Sequence, residues 1–407
     1  MSGLHSKFVT RRRVFYIPGY DPIHPRRYRE LYRTEGTAQA AISNYDISLK
    51  PGRRAPHYGW QVDAVIEDKP VHADVEVLVW SDIVRDSMST SIPGTYVQLV
   101  RTAWIYIATG ALRRLMRLRK GPVIAALYPV AMLLAQLFLA VAVWAAIWRG
   151  GAAAFGTVGA WAGAAVGACL FGMLLRWFKS KDGRFFAYYL MHDYAYSAVS
   201  GGANPTELEA RMRVFQDSIA EALISEVDEV LVVGHSSGAH LAVSVLADLI
   251  RAGRVSNGGP ALAFLSLGQV VPMVSFLPKA DRLRGDLRYL STRNELTWVD
   301  VTAPGDGCSF ALCDPVSVSG VATKDKKWPL VFSAQFTKSL SPQRWAELRW
   351  RFFRLHFQYL CAFDRPLDYD YFQITAGPVT LAARYGDRPA SKSRLDHAVS
   401  KYTSVAI

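Results

Sequence analysis

The chain has 407 residues, a hydrophobic content of 51% and a formal net charge of +13, from 47 basic and 34 acidic residues. That length accommodates one large domain with an insertion, or two ordinary domains. The four cysteines form no CxxC pair and have no histidine at ligand spacing, which argues against a zinc site, and we predict no metal and no cofactor. Many basic residues flank one apolar block and no nucleic-acid recognition motif is present, so we predict a lipid bilayer and no nucleic acid as partner.

The first part of the chain, residues 1–92, alternates strand-like and helical patterns. Strands are predicted over residues 13–17, 61–66 and 74–80, and a helix over 26–42. Such alternation is typical of an α/β fold, a mostly parallel sheet with helices on both faces. We predict that this sheet is interrupted by a transmembrane helical hairpin and then resumes.

The predicted hairpin lies within residues 93–184. Between residues 121 and 175 the single charged residue is Arg149, and a helix needs about 20 apolar residues to cross a bilayer. We predict two transmembrane helices, at about 123–148 and 152–178, with a tight turn at Arg149 and the glycine pair after it. Basic residues precede the first helix and follow the second, so the positive-inside rule places the globular domain and both termini in the cytoplasm. A buried hairpin of a soluble protein is the alternative.

Two features of this block concern packing. Gly159, Gly163 and Gly167 recur every fourth residue and therefore share one face of the second helix. We predict that this face packs against the first helix, and a homodimer through the same glycines is the alternative. Residues 96–118 combine apolar residues at helical spacing with arginines, which predicts a helix on the membrane surface. A core-facing helix that continues into the first span is the alternative.

The second globular part, residues 185–383, returns to strand and helix patterns, and residues 384–407 are predicted to be a polar, frayed tail. The predicted strands are 229–233, 262–267, 297–302 and 329–334, and the predicted helices are 185–199, 206–225, 239–251 and 342–362.

The motif Gly234-His235-Ser236-Ser237-Gly238 lies between a run of Val and Leu and an amphipathic helix. In that context GxSxG is typical of a nucleophile elbow, a sharp turn that raises a serine hydroxyl above the sheet. The two glycines allow the turn and let strand and helix pack closely. We predict Ser236 as a catalytic nucleophile.

With this elbow, the strand–helix alternation and an early strand that runs into a Pro-Gly-Tyr-Asp-Pro turn, the chain resembles the α/β-hydrolase family over residues 8–92 and 185–380. The resemblance implies an oxyanion hole of backbone N–H groups, here those of Tyr20 or Gly19 and of Ser237. An ordinary turn at Gly19 is the alternative. The chain departs from the family because strands that usually precede the oxyanion loop are missing and the large insertion lies before the nucleophile strand.

The family's chain order places an acid and then a histidine after the serine, because the serine needs a base and the base needs an acid to orient it. His240, His356 and His397 follow Ser236. His240 is predicted to point away from the elbow and His397 lies in the tail, so we predict His356 as the base. The pattern around His356 is helical, so a helix break is required there.

The predicted acid is Asp306, in the loop after the strand at 297–302. Asp314, before a proline, and Asp300, within the strand, are the alternates.

Together these residues predict a membrane-anchored serine hydrolase that cleaves an ester or thioester, in a lipid-like substrate, through an acyl-enzyme. An acyltransferase with the same triad and a catalytically silent scaffold of the same fold at the membrane are the alternatives.

Overall fold

The structure, a computed structural model, describes residues 7–52, 57–88, 91–256 and 258–405. In this part of the chain eight strands form one sheet with helices on both faces. The strands are β1 (Arg11–Ile17), β2 (Asp46–Pro51), β3 (Tyr58–Ile66), β4 (Lys69–Val77), β5 (Glu229–His235), β6 (Ala261–Leu267), β7 (Leu296–Thr302) and β8 (Leu330–Ser333). The helices are α1 (Arg26–Ser43), α2 (Ser81–Ser87), α3 (Ile92–Ala108), α4 (Ala111–Leu118), α5 (Lys120–Ser180), α6 (Asp182–Phe185), α7 (Ala187–Val199), α8 (Thr206–Leu223), α9 (Gly238–Arg251), α10 (Val271–Ser275), α11 (Asp281–Leu290), α12 (Pro315–Val318), α13 (Phe336–Ser339), α14 (Pro342–Leu348), α15 (Phe352–His356), a 3-10 turn (Phe357–Leu360), α16 (Tyr371–Ala376) and α17 (Leu381–Tyr385).

The strand order is β2-β3-β4-β1-β5-β6-β7-β8. β1 pairs in parallel with β4 and β5, and parallel pairing continues to β8, whereas β3 is antiparallel to both β2 and β4. The α/β class is confirmed, but the predicted mostly parallel sheet is corrected to a mixed one. A turn at Glu67 and Asp68, both with positive φ, joins β3 to β4 as a hairpin, and so short a connection cannot return a strand in parallel. β2 was not predicted.

Two hydrophobic clusters hold helices against the two faces of the sheet. One contains residues of α1, α15 and α16, and the other contains residues of α8, α9 and α11. Every residue of β5 is buried, which explains its run of Val and Leu without polar alternation.

The apolar block forms α5, which by length and composition is the one helix in the described residues that could cross a membrane. Its backbone leaves the helical conformation at Phe155 and Gly156. A Cβ on Gly163 would lie 2.8 Å from the carbonyl oxygen of Ile147, although 16 residues of straight helix extend about 24 Å. The helix therefore folds back on itself at Phe155–Gly156. The predicted turn at Arg149 is wrong, because the reversal uses the positive φ of Gly156 instead.

The glycine face packs within the chain, as predicted. A Cβ on Gly159 would meet the carbonyl oxygen of Gly151, and one on Gly167 would meet the ring of Trp144. Because these glycines have no side chains, the two segments of α5 lie with their backbones in contact. The homodimer through the same face stays an untested prediction.

The amphipathic segment before α5 forms α3 and α4, and α3 has two different faces. Its buried face, which includes Leu99 and Tyr106, packs on α7 and α5. Its other face exposes four large apolar side chains: Val97, Val100, Trp104 and Ile107. The buried face agrees with the predicted core-facing helix. The exposed apolar face is what a helix on the membrane surface would require.

The carboxyl-terminal segment is ordered against the body of the protein. Leu395 N–H donates to Leu312 O at 2.7 Å, Val399 N–H donates to Val318 O at 3.0 Å, and Arg284 donates to the carbonyl of Ser404 at 2.7 Å. The prediction of a frayed tail is wrong, because buried apolar side chains such as Val399 fix the polar segment.

Candidate active site

The predicted site residues come from loops at the carboxyl edge of the sheet. Gly19 follows β1, Ser236 follows β5, Asp306 follows β7 and His356 follows β8. β1 lies between β4 and β5, so the strand order reverses at β1. In open α/β sheets a crevice forms at such a reversal, outside the carboxyl ends of the strands.

The GxSxG segment forms a strained turn between β5 and α9. Ser236 has a φ of 56°, in the left-handed region that non-glycine residues rarely adopt. A Cβ on Gly238 would lie 2.1 Å from the carbonyl oxygen of Ile17, and one on Gly234 would lie 2.8 Å from the Cα of Ala239. Both glycines are therefore required by the close approach of β1, β5 and α9, which is the role that the sequence pattern predicted for them.

The loop after β1 lies against the serine. A Cβ on Gly19 would lie 2.9 Å from the Cβ and 3.4 Å from the Oγ of Ser236. Ser237 is the N-cap residue of α9. Among the described residues, the backbone N–H groups of Tyr20 and Ser237 have no hydrogen-bond acceptor. The loop and the helix end thus leave two N–H groups beside the hydroxyl, the arrangement that an oxyanion hole requires.

Asp306 and His356 are in contact. His356 Nδ1 lies 2.8 Å from Asp306 Oδ2, and both side chains are buried. Because the carboxylate can only accept, Nδ1 carries the proton and Nε2 keeps its lone pair. Nε2 is buried and has no hydrogen-bond partner in the described part of the chain. It is therefore a basic nitrogen with no partner of its own.

Two further contacts hold Asp306 in its charged form. The backbone N–H of Cys308 donates to Oδ1 at 2.9 Å, and the hydroxyl of Tyr359 donates to Oδ2 at 3.0 Å. Burial raises the pKa of Asp306, but His356 and the N–H of Cys308 lower it by more and leave the pKa below its usual value. Asp306 is thus ionised at neutral pH.

The alternate acids lie elsewhere. Asp314 caps α12 by accepting from the N–H groups of Val316 and Ser317, and it pairs with Lys326 at 2.6 Å. Asp300 lies within β7 next to Ser266, and burial raises its pKa to about 8. Neither contacts His356.

The helix break that His356 needs is present. The helix predicted over 342–362 is divided into α14, α15 and a 3-10 turn, and His356 is the last residue of α15. A helix end frees the imidazole to leave the helix axis and to reach the loop after β7.

His235, the residue before the serine, supports His356. Its Nε2 donates to the carbonyl of His356 at 3.0 Å, and its Nδ1 lies 3.3 Å from the hydroxyl of Tyr16. Burial lowers the pKa of His235 to about 3, so the ring is neutral and the carbonyl contact fixes the proton on Nε2. In the sequence this position was only a spacer of the motif, and nothing in the pattern indicated its contact 121 residues away.

A cavity of about 930 Å³ brings these groups together. Gly19, Ser236 and His356 all line it, but Ser236 Oγ and His356 Nε2 form no hydrogen bond. His240 lines it as well, so the prediction that this side chain points away is wrong. His240 lies in the first turn of α9, directly after the turn that carries Ser236. Burial lowers the pKa of His240 to about 4, so it is neutral. His397 is exposed.

The cavity wall includes residues from both ends of α5. Pro122 comes from its first turn, and Gly183 and Phe186 come from the segment directly after it. A Cβ on Gly121 would lie 3.2 Å from Gly307, the residue after the predicted acid. The base of the apolar helix and the site are therefore adjacent.

One group of side chains could be considered for a metal ion. Ligand atoms of Asp306, Cys308 and His356 lie within 4.8 Å of one another. Burial raises the pKa of the Cys308 thiol well above its ordinary value, so it is protonated at neutral pH, and Asp306 is already bonded to His356. These residues fit a hydrogen-bonded acid–base pair better than a metal site.

Asp193, in α7, is a site residue that the sequence did not reveal. It lines the cavity, and burial raises its pKa to about 7. A single aspartate within a helical pattern carries no sign of its tertiary surroundings, so no sequence signal was there to find it.

No protein-family model matches the chain, and neither a curated protein nor a solved structure does so. The resemblance to α/β-hydrolases therefore depends on the motif, its flanking elements and the geometry of the cavity.

Proposed function

We propose that this protein is a membrane-anchored serine hydrolase of the α/β-hydrolase kind, which cleaves an ester or thioester of a lipid-like substrate. One observation carries the proposal. The imidazole of His356 is held by Asp306 at 2.8 Å, its other nitrogen has no partner in the described chain, and His356 and Ser236 line the same cavity.

In the first half of the reaction Ser236 Oγ attacks the acyl carbon, and its proton passes to His356 Nε2. Asp306 stabilises the imidazolium that forms. The backbone N–H groups of Tyr20 and Ser237 donate to the oxyanion of the tetrahedral intermediate. When the intermediate collapses, His356 returns the proton to the departing alcohol or thiol, and Ser236 keeps the acyl group as an ester.

In the second half water takes the place of the alcohol or thiol. His356 removes a proton from the water, and the hydroxide attacks the acyl carbon of the Ser236 ester. The second tetrahedral intermediate releases a carboxylic acid and restores the serine hydroxyl. Transfer to another alcohol would use the same intermediate.

The proposed membrane anchor consists of the two segments of α5 on either side of Phe155–Gly156. The protruding part of the first segment begins after Gln136, and that of the second segment ends before Leu175. Between these two residues, only Ala140 and the three glycines of the packed face are buried. Each protruding segment has roughly 19 residues and extends about 28 Å, close to the hydrocarbon thickness of a bilayer. Its large side chains, such as Val158 (80% exposed) and Trp161 (76%), have no cover in the described chain.

A lipid-like substrate is supported by the position of the cavity. Pro122 and Phe186 line it from the two ends of α5, so an acyl chain that leaves a bilayer at the base of the anchor would have only a short path to Ser236. Both ends of the anchor lie on the side of the globular domain, as the proposed cytoplasmic orientation requires.

The test is covalent labelling of the full-length protein, reconstituted in lipid nanodiscs, with a fluorophosphonate probe. We expect labelling of the wild type and none of Ser236→Ala. Ser237→Ala is the matched control, because it removes the neighbouring hydroxyl and keeps the backbone N–H, so it should label. A folded wild type that does not label would overturn the proposal and favour the silent scaffold.

A further inference from the structure

The carboxyl of Asp193 lies in the cavity without a counter-ion. None of the arginines that line the same cavity forms an ion pair with it in the described part of the chain, and no hydrogen bond of its carboxyl is present there. Arg27 pairs instead with Asp21 at 3.0 Å, and Arg344 pairs with Glu347 at 3.5 Å. A half-buried carboxylate without a partner lowers the stability of the folded state. Its presence in a cleft therefore indicates a functional role.

Aromatic side chains line the same cavity as this carboxyl. The cavity wall near it contains four tyrosines: Tyr20, Tyr106, Tyr189 and Tyr194. Burial is the largest cause that raises the pKa of each of these phenols, and the negative charge of Asp193 raises it further. They therefore remain neutral, and Asp193 is an acid whose charge acts on all four of them.

This combination selects one kind of ligand group. A divalent cation needs six or more oxygen ligands or a rigid cluster of carboxylates, which a single carboxylate does not supply. A fatty-acid carboxylate would be repelled. An ammonium group, in contrast, is attracted both by a carboxylate and by the electron-rich faces of tyrosine rings.

We propose that Asp193 and the four surrounding tyrosines form a subsite for a positively charged ammonium group of the substrate. The inference rests on the proposed function of the same cavity, because it names the class of ester or thioester that Ser236 would meet. The charge of Asp193 also acts on His356, so the ammonium group would lie near the reacting centre. The substrate class is thus an acyl ester or thioester that carries an amine or a quaternary ammonium.

The test compares two esters of the same acyl chain, decanoylcholine and 3,3-dimethylbutyl decanoate, which have almost the same shape but differ in charge. For the full-length wild type in nanodiscs we expect kcat/KM for the choline ester to be about tenfold or more higher. Asp193→Asn should bring the ratio close to one. Glu347→Gln, which removes a carboxylate from the rim of the same cavity, should leave the ratio unchanged.

Equal rates for the two esters in the wild type, or a preference that survives Asp193→Asn, would overturn the subsite. If neither ester is hydrolysed, the proposed function fails, and a binding measurement still decides the subsite. For this we use isothermal titration of phenyltrimethylammonium into Ser236→Ala. We expect binding that is lost in Ser236→Ala/Asp193→Asn, and equal affinity of the two variants would contradict the proposal.

Discussion

Two acidic residues of the candidate active site, Asp306 and Asp193, have different surroundings. Asp306, in the loop after β7, contacts His356, Tyr359 and the N–H of Cys308, and its pKa is lowered. Asp193, in the middle of α7, has no such partner in the described chain, and its pKa is raised to about 7. The comparison shows that the partners of an acid, and not its depth in the protein, decide whether it stays charged.

Asp306→Asn should give the largest effect. An amide cannot hold the tautomer of His356 that leaves Nε2 free to accept a proton, so we expect kcat to fall by about 10⁴-fold. The measurement is hydrolysis of a p-nitrophenyl ester. Asp314→Asn is the control, since Asp314 caps α12 and does not touch His356. A larger loss of kcat in Asp314→Asn than in Asp306→Asn would reverse the assignment of the acid.

Asp193→Asn should stabilise the protein, in a manner that depends on pH. The pKa of Asp193 is higher in the folded state, about 7, than in the unfolded chain, so the folded state binds more protons between pH 4 and pH 7. Stability is therefore lost as pH rises through that window. Because Asn does not ionise, we expect the variant to be more stable at pH 8 by about 2–4 kcal/mol and nearly unchanged at pH 4.

Urea denaturation at the two pH values measures this difference. Glu347→Gln is the matched control, because Glu347 is exposed and paired with Arg344, and it should change stability at neither pH. An Asp193→Asn variant that is no more stable than the wild type at pH 8 would show that Asp193 is not an unpaired charge.

Tyr359→Phe tests whether the hydrogen bond from Tyr359 positions Asp306. The hydroxyl donates to Asp306 and accepts the backbone N–H of Ala303 at 2.9 Å. Its removal should cost about 1–2 kcal/mol of stability and should lower kcat about tenfold with little change in KM, because Asp306 is less firmly placed. In Tyr385→Phe, which loses a hydrogen bond to Asp368 O, stability should fall with kcat unchanged. Equal kcat in both variants would contradict a positioning role for Tyr359.

Removal of the protruding part of α5 should change the activity of the site around Asp306 and Asp193 least. We expect that replacing residues 137–174 with a short Gly-Ser linker yields a protein that needs no detergent. Its kcat on a short, water-soluble ester should lie within about twofold of wild type, because residues 120–136, which reach Gly307, are retained. Insolubility or loss of the near-ultraviolet dichroism would show that the segment belongs to the core.

The parts that depend on local sequence were predictable. Seven strands and the elbow followed from apolar runs, turn residues and the spacing of Gly234 and Gly238, because a buried strand and a tight turn each impose their own pattern. The contact of Asp306 with His356 agrees with the residues chosen from chain order. The fold class was predictable at the level of an α/β sheet with helices.

The parts that depend on distant contacts were not predictable. The glycine pair at 150–151 is the stronger turn signal in the sequence, and only packing of the two α5 segments selects Phe155–Gly156 as the reversal. The short edge strand β2 owes its conformation to pairing with β3. Asp193 and His235 acquire their surroundings from elements that are far away in the chain, and no spacing rule contains that information.

The hydrogen bond from His235 to the carbonyl of His356 links two positions that are 121 residues apart. The segment that carries Ser236 therefore also fixes the backbone of His356, and we expect the two segments to behave as one thermodynamic unit. The free-energy effects of replacing His235 and His356 should consequently be non-additive in a double-mutant cycle. In any redesign of this cavity, residues 235 and 356 have to be changed together.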